Sequence, residues 1–267
     1  MLRVAGEEAG AFLDGLLTND VSAATPEHSV YAALLTPQGK LIADVVAHRG
    51  PDGALLLDVA QQHAAGLVQR LTMYRLRRAI QIADVSDALT VEIYTDAQAG
   101  LPPDPRNPEG ALGARVLTAT PAQDAAPLAE YEAFRIGAGV PDPAVDAGPE
   151  EVFALEALLE ELNGVDFAKG CFVGQENVSR MKRRATTRRK FCRIAFEGEA
   201  PAYGASIVAG PATLGEVRSG IPGRAIALLR LDRAFEAIRA GTPLLAGDTT
   251  IRLDPPDWLI VPTEGEA

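Results

Sequence analysis

The residues best placed to do chemistry stand together at Lys169-Gly170-Cys171-Phe172-Val173-Gly174-Gln175-Glu176. Gly170 and Gly174 can take positive φ and let the backbone approach a ligand closely. The stretch from Gln175 to Arg184 reads as the start of a helix, so Gly174 lies near its N-terminal end. Free amides and a partial positive charge collect there. A thiol at Cys171, close to that end and two residues from Lys169, has the setting that lowers its pKa from about 8.5 to between about 3.5 and 7.5. The resulting thiolate is a nucleophile or a soft metal ligand. Residue types alone leave a second reading equally open, a buried structural cysteine in a Gly-rich turn.

Composition narrows the context. At 267 residues with 47% apolar side chains, the chain is long enough for two or three small domains around substantial cores. It has no run of about 18 apolar residues, so no membrane span is expected. Met1 to Glu8 turns acidic at once and lacks the apolar core of a signal peptide, which makes the cytoplasm the expected compartment. Cys171 and Cys192 form neither a disulfide framework nor a CxxC pair. His28, His48 and His63 are scattered, so a complete metal site within one chain is not expected. A formal charge of −11 argues against general nucleic-acid binding. Against that background Arg180, Lys182, Arg183, Arg184, Arg188, Arg189 and Lys190 reverse the sign locally, as a solvated face or as a site for an anion.

The elements that must position the octapeptide follow from periodicity. Ala9, Phe12, Leu13, Leu16 and Leu17 share one face of a helix over 7–17. Residues 30–47 read as a hairpin turning at Thr36-Pro37-Gln38-Gly39-Lys40. A strand at 54–59, a helix from Gln61 to Arg78 and strands at 80–85 and 89–94 form a ferredoxin-like α+β part. The helix ends in Arg75, Arg77 and Arg78, cations that suit a C-terminus. Gly100 to Gly113 is a loop, and 114–118 one more strand. A helix around 130–138 stops at Gly139 and Pro141. Glu151 to Leu162 reads as an amphipathic helix whose stripe of Val152, Leu155, Leu158, Leu159 and Leu162 is core. Beyond Phe191, short apolar runs separated by Gly and Pro read as a small β-barrel, with Cys192 on its buried face and a loose tail from Thr263 to Ala267.

The octapeptide resembles the signature of the YgfZ family, folate-binding-like proteins of iron–sulfur cluster assembly whose mitochondrial relatives are called Iba57. The family is similar in fold to the aminomethyltransferase (T-protein) of glycine cleavage. Leu16-Leu17-Thr18-Asn19-Asp20-Val21, the hairpin from Tyr31 to Asp44, Arg135-Ile136-Gly137-Ala138-Gly139-Val140-Pro141, Leu214 to Gly220 and Ala225 to Arg230 resemble both or the family's last domain. The resemblance implies an α+β, three-part fold around a central cavity. Its parts would be a discontinuous folate-binding-like domain (1–50 and 128–186), a ferredoxin-like domain (51–127) and a C-terminal barrel (187–267).

The same resemblance implies an accessory factor for making or repairing [4Fe–4S] proteins, tRNA-modifying enzymes among its clients, with cluster carriers or client enzymes as partners. Cys171 would be a reactive thiolate or a cluster contact shared with a partner, held ionised by Lys169, with Gln175 and Glu176 orienting the turn. A tetrahydrofolate-type ligand would meet Asp44, Arg135, Gly170, Gly174, Gln175 and Glu176, with Arg77 a further contact. For Asp44, Arg77 and Arg135 a solvated strand or helix-end residue is the alternative. T-proteins carry two consecutive aspartates after the hairpin turn; Ala43-Asp44 stands here, which puts aminomethyl transfer in doubt, since proton transfer needs a placed acid or base. A folate-dependent aminomethyl or methyl transferase and a folate-binding or docking module without chemistry are the competing readings.

Overall fold

The computed structural model describes residues 1–96, 100–106, 112–184 and 187–261. Two units emerge, one of residues 1–127 with 162–177 and one of 128–161 with 178–267.

The first unit is built on a five-stranded antiparallel sheet. Its strands are β1 (Leu2–Ala5), β2 (Val30–Leu35), β3 (Leu41–Arg49), β4 (Leu55–Asp58) and β5 (Gln81–Asp84), in the order β2-β3-β4-β1-β5. Alternate residues face one way along a strand. Leu2, Val4, Ala32, Leu34, Ala43, Val45, Ala47, Leu55 and Leu57 accordingly share one buried cluster. Helices α1 (Ala9–Asp14) and α2 (Gln61–Arg75) add Phe12, Leu13, Ala64, Leu67 and Leu71 to that cluster. A separate pair, β6 (Thr90–Tyr94) and β7 (Ala114–Thr118), runs antiparallel.

The sheet does not break near residue 50 as the expected ferredoxin-like part would require. β4 pairs with both β3 and β1, and β5 pairs with β1, so these strands complete the N-terminal sheet. The link is β1, four residues too short to stand out by periodicity.

The second unit contains α3 (Leu128–Ala138), α4 (Pro143–Asp146) and a closed barrel. The barrel strands are β8 (Arg189–Ala195), β9 (Ser206–Ala209), β10 (Ala212–Ile221), β11 (Arg224–Arg230), β12 (Leu244–Ala246) and β13 (Thr249–Leu253), closing in the order β10-β11-β8-β13-β12-β9. Between these elements, α5 (Gln175–Arg183) carries the chain from the first unit to the second, and α6 (Leu231–Arg239), unforeseen in the sequence, follows β11. The expected tail from Thr263 onward lies outside the described residues.

The stripe at 151–162 buries as expected, with Val152, Leu155, Leu158, Leu159 and Leu162 at most 2% exposed, but no helix carries it. Leu158 has φ 62°, a left-handed value that interrupts a right-handed helix. Tertiary ion pairs hold the turns instead. Arg218 Nη2 meets Glu151 Oε1 at 2.5 Å, Arg189 Nε meets Glu156 Oε1 at 2.9 Å, and Lys190 Nζ meets Glu161 Oε1 at 2.5 Å.

One buried polar group of the first unit makes it acid-sensitive. His48 on β3 is 9% exposed, beside Arg115, which pairs with Asp58 at 3.0 Å. Burial pushes the imidazole down to about 4; Asp58 opposes this and Arg115 adds to it. A lowered histidine pKa means the unfolded chain binds the proton first, so this contribution to stability is full above about 6.5 and falls as pH drops toward 4. The expected loss is roughly 3 kcal/mol. Urea titrations from pH 7 to 4 check it: His48→Leu should show a shallower fall than the wild type, and parallel curves would contradict the assignment.

Candidate functional site around Cys171

The octapeptide is seated by residues near the start of the chain. Thr18, fully buried, donates from Oγ1 to the Gly164 carbonyl at 2.5 Å and accepts from the Ala33 amide at 2.8 Å. The Asp166 amide donates to the Thr18 carbonyl at 3.0 Å. Asn19 Nδ2 donates to the carbonyls of Asn163 at 2.8 Å and Tyr31 at 2.9 Å. Asp166 Oδ1 then accepts from the amides of Ala168 (2.7 Å) and Lys169 (3.2 Å), a local turn of the kind aspartate favours. Thr18 and Asn19 were visible in the sequence as matched residues, but nothing there gave them this work.

Lys169 points inward. Its side chain is 3% exposed, and Nζ donates to the carbonyls of Asp14 (2.6 Å), Leu17 (2.9 Å) and Asn19 (3.4 Å). Asp14 Oδ1 lies 2.9 Å away, and the Phe172 ring centroid 5.4 Å. An ammonium has three protons. All three are engaged by backbone at and just past the end of α1, where a cation also suits the helix dipole. Lys169 therefore anchors the loop rather than serving as the dedicated partner of the thiol.

Gly174 fixes the other end. It has φ 84°, and a Cβ there would stand 2.7 Å from the Thr36 carbonyl oxygen and 3.1 Å from Gly39 Cα. Asn177 Nδ2 donates to the Gln38 carbonyl at 2.8 Å, so the start of α5 docks on the hairpin turn. Gln175 Nε2 reaches back to the Gly170 carbonyl at 3.4 Å. Gly170 itself meets nothing that a Cβ would touch, and it lies outside the positive-φ region. Between these anchors the Lys169 side chain and Phe172 are buried, while Cys171 and Glu176 are exposed. A thiol held out by two inward-facing neighbours is the central feature of the site.

The other expected site residues are disposed differently. Asp44, half-buried on β3, accepts from the Tyr31 hydroxyl at 3.0 Å. Arg77 is exposed just past α2. Arg135, in the second unit, is not an exposed helix-end residue: it is 0% exposed. Its Nε and Nη2 donate to Glu132 Oε2 (3.0 and 2.5 Å), Nη1 to Asp146 Oδ2 (2.9 Å) and the Val140 carbonyl (3.3 Å), and Nη2 to Ser219 Oγ (3.2 Å). That engages all five guanidinium donors within the protein.

Within the basic stretch, Lys182 pairs with Glu160, Arg189 with Glu156 and Lys190 with Glu161, so part of it clamps the 151–161 turns. Residues 185–186 of that stretch lie outside the described residues. Cys192 is 1% exposed, and burial pushes its thiol up to about 12. Cys192 is core, as its place in the strand pattern implied. Among the described residues no group of three or more His, Cys, Asp or Glu could hold a metal ion, and no helix is long and apolar enough to cross a membrane.

Residues 1–93 match the GCVT N-terminal domain, and residues 188–260 match the C-terminal beta-barrel domain of CAF17. The chain is 30% identical over 270 residues to the mitochondrial iron-sulfur cluster assembly factor IBA57 of Mus musculus, covering 86% of this chain and 75% of the mouse protein. The chain belongs to the IBA57 family. Mitochondrial IBA57 homologues of Mycosarcoma maydis (33% identical, 73% of this chain, 55% of theirs) and Neurospora crassa (30%, 75% and 53%) are similar too. The chain thus spans about half the length of these fungal relatives. The crystal structure of a glycine cleavage aminomethyltransferase T from Bartonella henselae shares the fold, with TM-score 0.68 at 15% identity over 97% of this chain and 83% of that one. The relatives' names correct the expected cytoplasmic location, since all three are mitochondrial proteins.

The contrast between the two glycines gives a test. Gly174→Ala forces a side chain against the Thr36 carbonyl at positive φ and should cost about 2 kcal/mol or more. Gly170→Ala should change stability by less than about 0.5 kcal/mol. Chemical denaturation of both variants checks this; equal losses would contradict the seating described.

Proposed function

We propose that this chain is an accessory factor in the assembly or repair of iron–sulfur proteins, in which Cys171 contacts the cluster as cargo. The observation that carries the reading is the exposed thiol held between the buried Lys169 side chain and Phe172 in a member of the IBA57 family. Iron–sulfur clusters usually take four cysteine ligands. Cys192 is buried with its pKa raised to about 12, so Cys171 is the only cysteine positioned to contribute. Any cluster contact is therefore shared, with a carrier or client protein supplying the other thiolates.

A tetrahydrofolate-type ligand is the second group the site residues can be tested against. Asp44 is half-buried, and its carboxylate accepts from the Tyr31 hydroxyl, which holds it in one orientation. Arg135, however, has its donors engaged internally, so the residues present fit that group only in part. Aminomethyl transfer is disfavoured for a related reason. Ala43 is 2% exposed within the apolar cluster, where a second carboxylate would carry a heavy desolvation cost.

The test is genetic and enzymatic. Cells lacking the gene receive either wild type or Cys171→Ser, and the specific activity of a [4Fe–4S]-dependent enzyme is measured. Wild type should restore activity, and the variant should fall short by about ten-fold or more. Full rescue by Cys171→Ser would remove the thiol from the proposal, and no effect of the deletion would remove the assembly role.

A further inference from the structure

The turn that ends α2 is held by the Arg75 Nη1 bond to the Ile80 carbonyl at 3.0 Å and by the burial of Ile80, yet the residues it presents between them face solvent. From Thr72 to Ala79 every residue but the half-buried Arg75 is exposed, including Met73 at 60%, Tyr74 at 39% and Leu76 at 82%. Leu76 follows the helix with φ 53° and ψ −115°. Helices that end at positive φ usually place glycine there, because a Cβ makes the conformation strained. Leucine keeps that strain and turns its side chain into solvent, so it gains no burial in return. Strained backbone clusters at ligand clamps and switch regions, and here it coincides with an exposed apolar side chain.

What surrounds Leu76 indicates what would meet it. Glu8, Leu76, Arg77 and Arg78 line an open groove of about 560 Å³. The Arg78 guanidinium sits 5.6 Å from the Phe12 ring centroid, which steadies one wall against α1. Exposed Met, Tyr and Arg are side chains enriched at protein interfaces. The two guanidiniums call for carboxylates, in a chain whose net charge is −11. Glu8 within the same groove disfavours a continuous anionic surface such as a membrane or a nucleic acid. It suits a protein segment, whose amide or cationic donors can meet it.

We propose that the groove at the C-terminal end of α2 docks an acidic protein segment. The segment's carboxylates pair with Arg77 and Arg78, and an apolar side chain packs on Leu76.

Random peptides displayed on phage are selected against the full chain, and the enriched peptides are synthesised and titrated by fluorescence anisotropy. The expected consensus combines Asp or Glu with a large apolar residue. Binding should weaken about ten-fold or more in Leu76→Gly and in Arg77→Glu/Arg78→Glu, and again as salt rises from about 50 to about 300 mM. Leu76→Gly relaxes the positive φ, so its melting temperature should not fall, which separates lost docking from lost folding. Enrichment of peptides without acidic residues, or equal binding by both variants, overturns the proposal. So does a Leu76-dependent association with phosphatidylglycerol vesicles, or with a second copy of the chain in light scattering, in place of peptide binding.

Discussion

The loop that carries Cys171 depends on one buried ammonium. The Lys169 side chain is 3% exposed, and its Nζ holds three carbonyls at and just past the end of α1 and faces the Asp14 carboxylate. A charge taken out of water is costly unless it is both paired and hydrogen-bonded. Lys169 meets both conditions only when residues 14–19 and the octapeptide are in register. The ammonium therefore converts a flexible Gly-rich sequence into a placed one. Gly174 completes the seating at the other end, since no larger residue fits between Thr36 and Gly39. Cys171 is exposed because its neighbours are pinned inward, and that is how the structure turns a thiol into an accessible group.

The second unit applies the same physics on a larger scale. Glutamates at 151, 156 and 161 meet Arg218, Arg189 and Lys190 of the barrel strands. Arg135 and Asp146, both 0% exposed, satisfy each other within a network that includes Glu132 and Ser219. Much of the positive charge that stands out in the sequence is thus consumed by structure. Arg77 and Arg78 beside the strained Leu76 differ, because their surroundings are exposed.

The barrel, the hairpin and the octapeptide were legible because each depends on local pattern: alternation with Gly/Pro turns, a Pro-Gln-Gly turn, and a dense motif. The shared fold with an aminomethyltransferase agrees with that reading. What escaped depends on partners far along the chain. Lys169 looked like a thiol activator because Cys171 is near in sequence, whereas its carbonyl partners lie about 150 residues away. Arg135 looked like a helix-end cation because Asp146 and Ser219 cannot be seen from its own helix. The helix expected at 151–162 had the right periodicity, and every stripe residue is buried, but three ion pairs to the barrel and a left-handed Leu158 overrule it. Periodicity reported which residues face inward, and it could not report the backbone that turns them there.

The central claim is that Cys171 supplies one ligand to a cluster whose remaining ligands come from elsewhere. A glutathione-ligated [2Fe–2S] complex provides such ligands without a partner protein. Titrating it into the purified chain, and following visible circular dichroism after gel filtration, reads the exchange of one glutathione for a protein thiolate. The account predicts a chiral cluster signal that co-elutes with the wild-type chain and is absent from Cys171→Ser. An equal signal from Cys171→Ser, or no signal from a wild-type chain whose thiol is confirmed to be reduced, would contradict it.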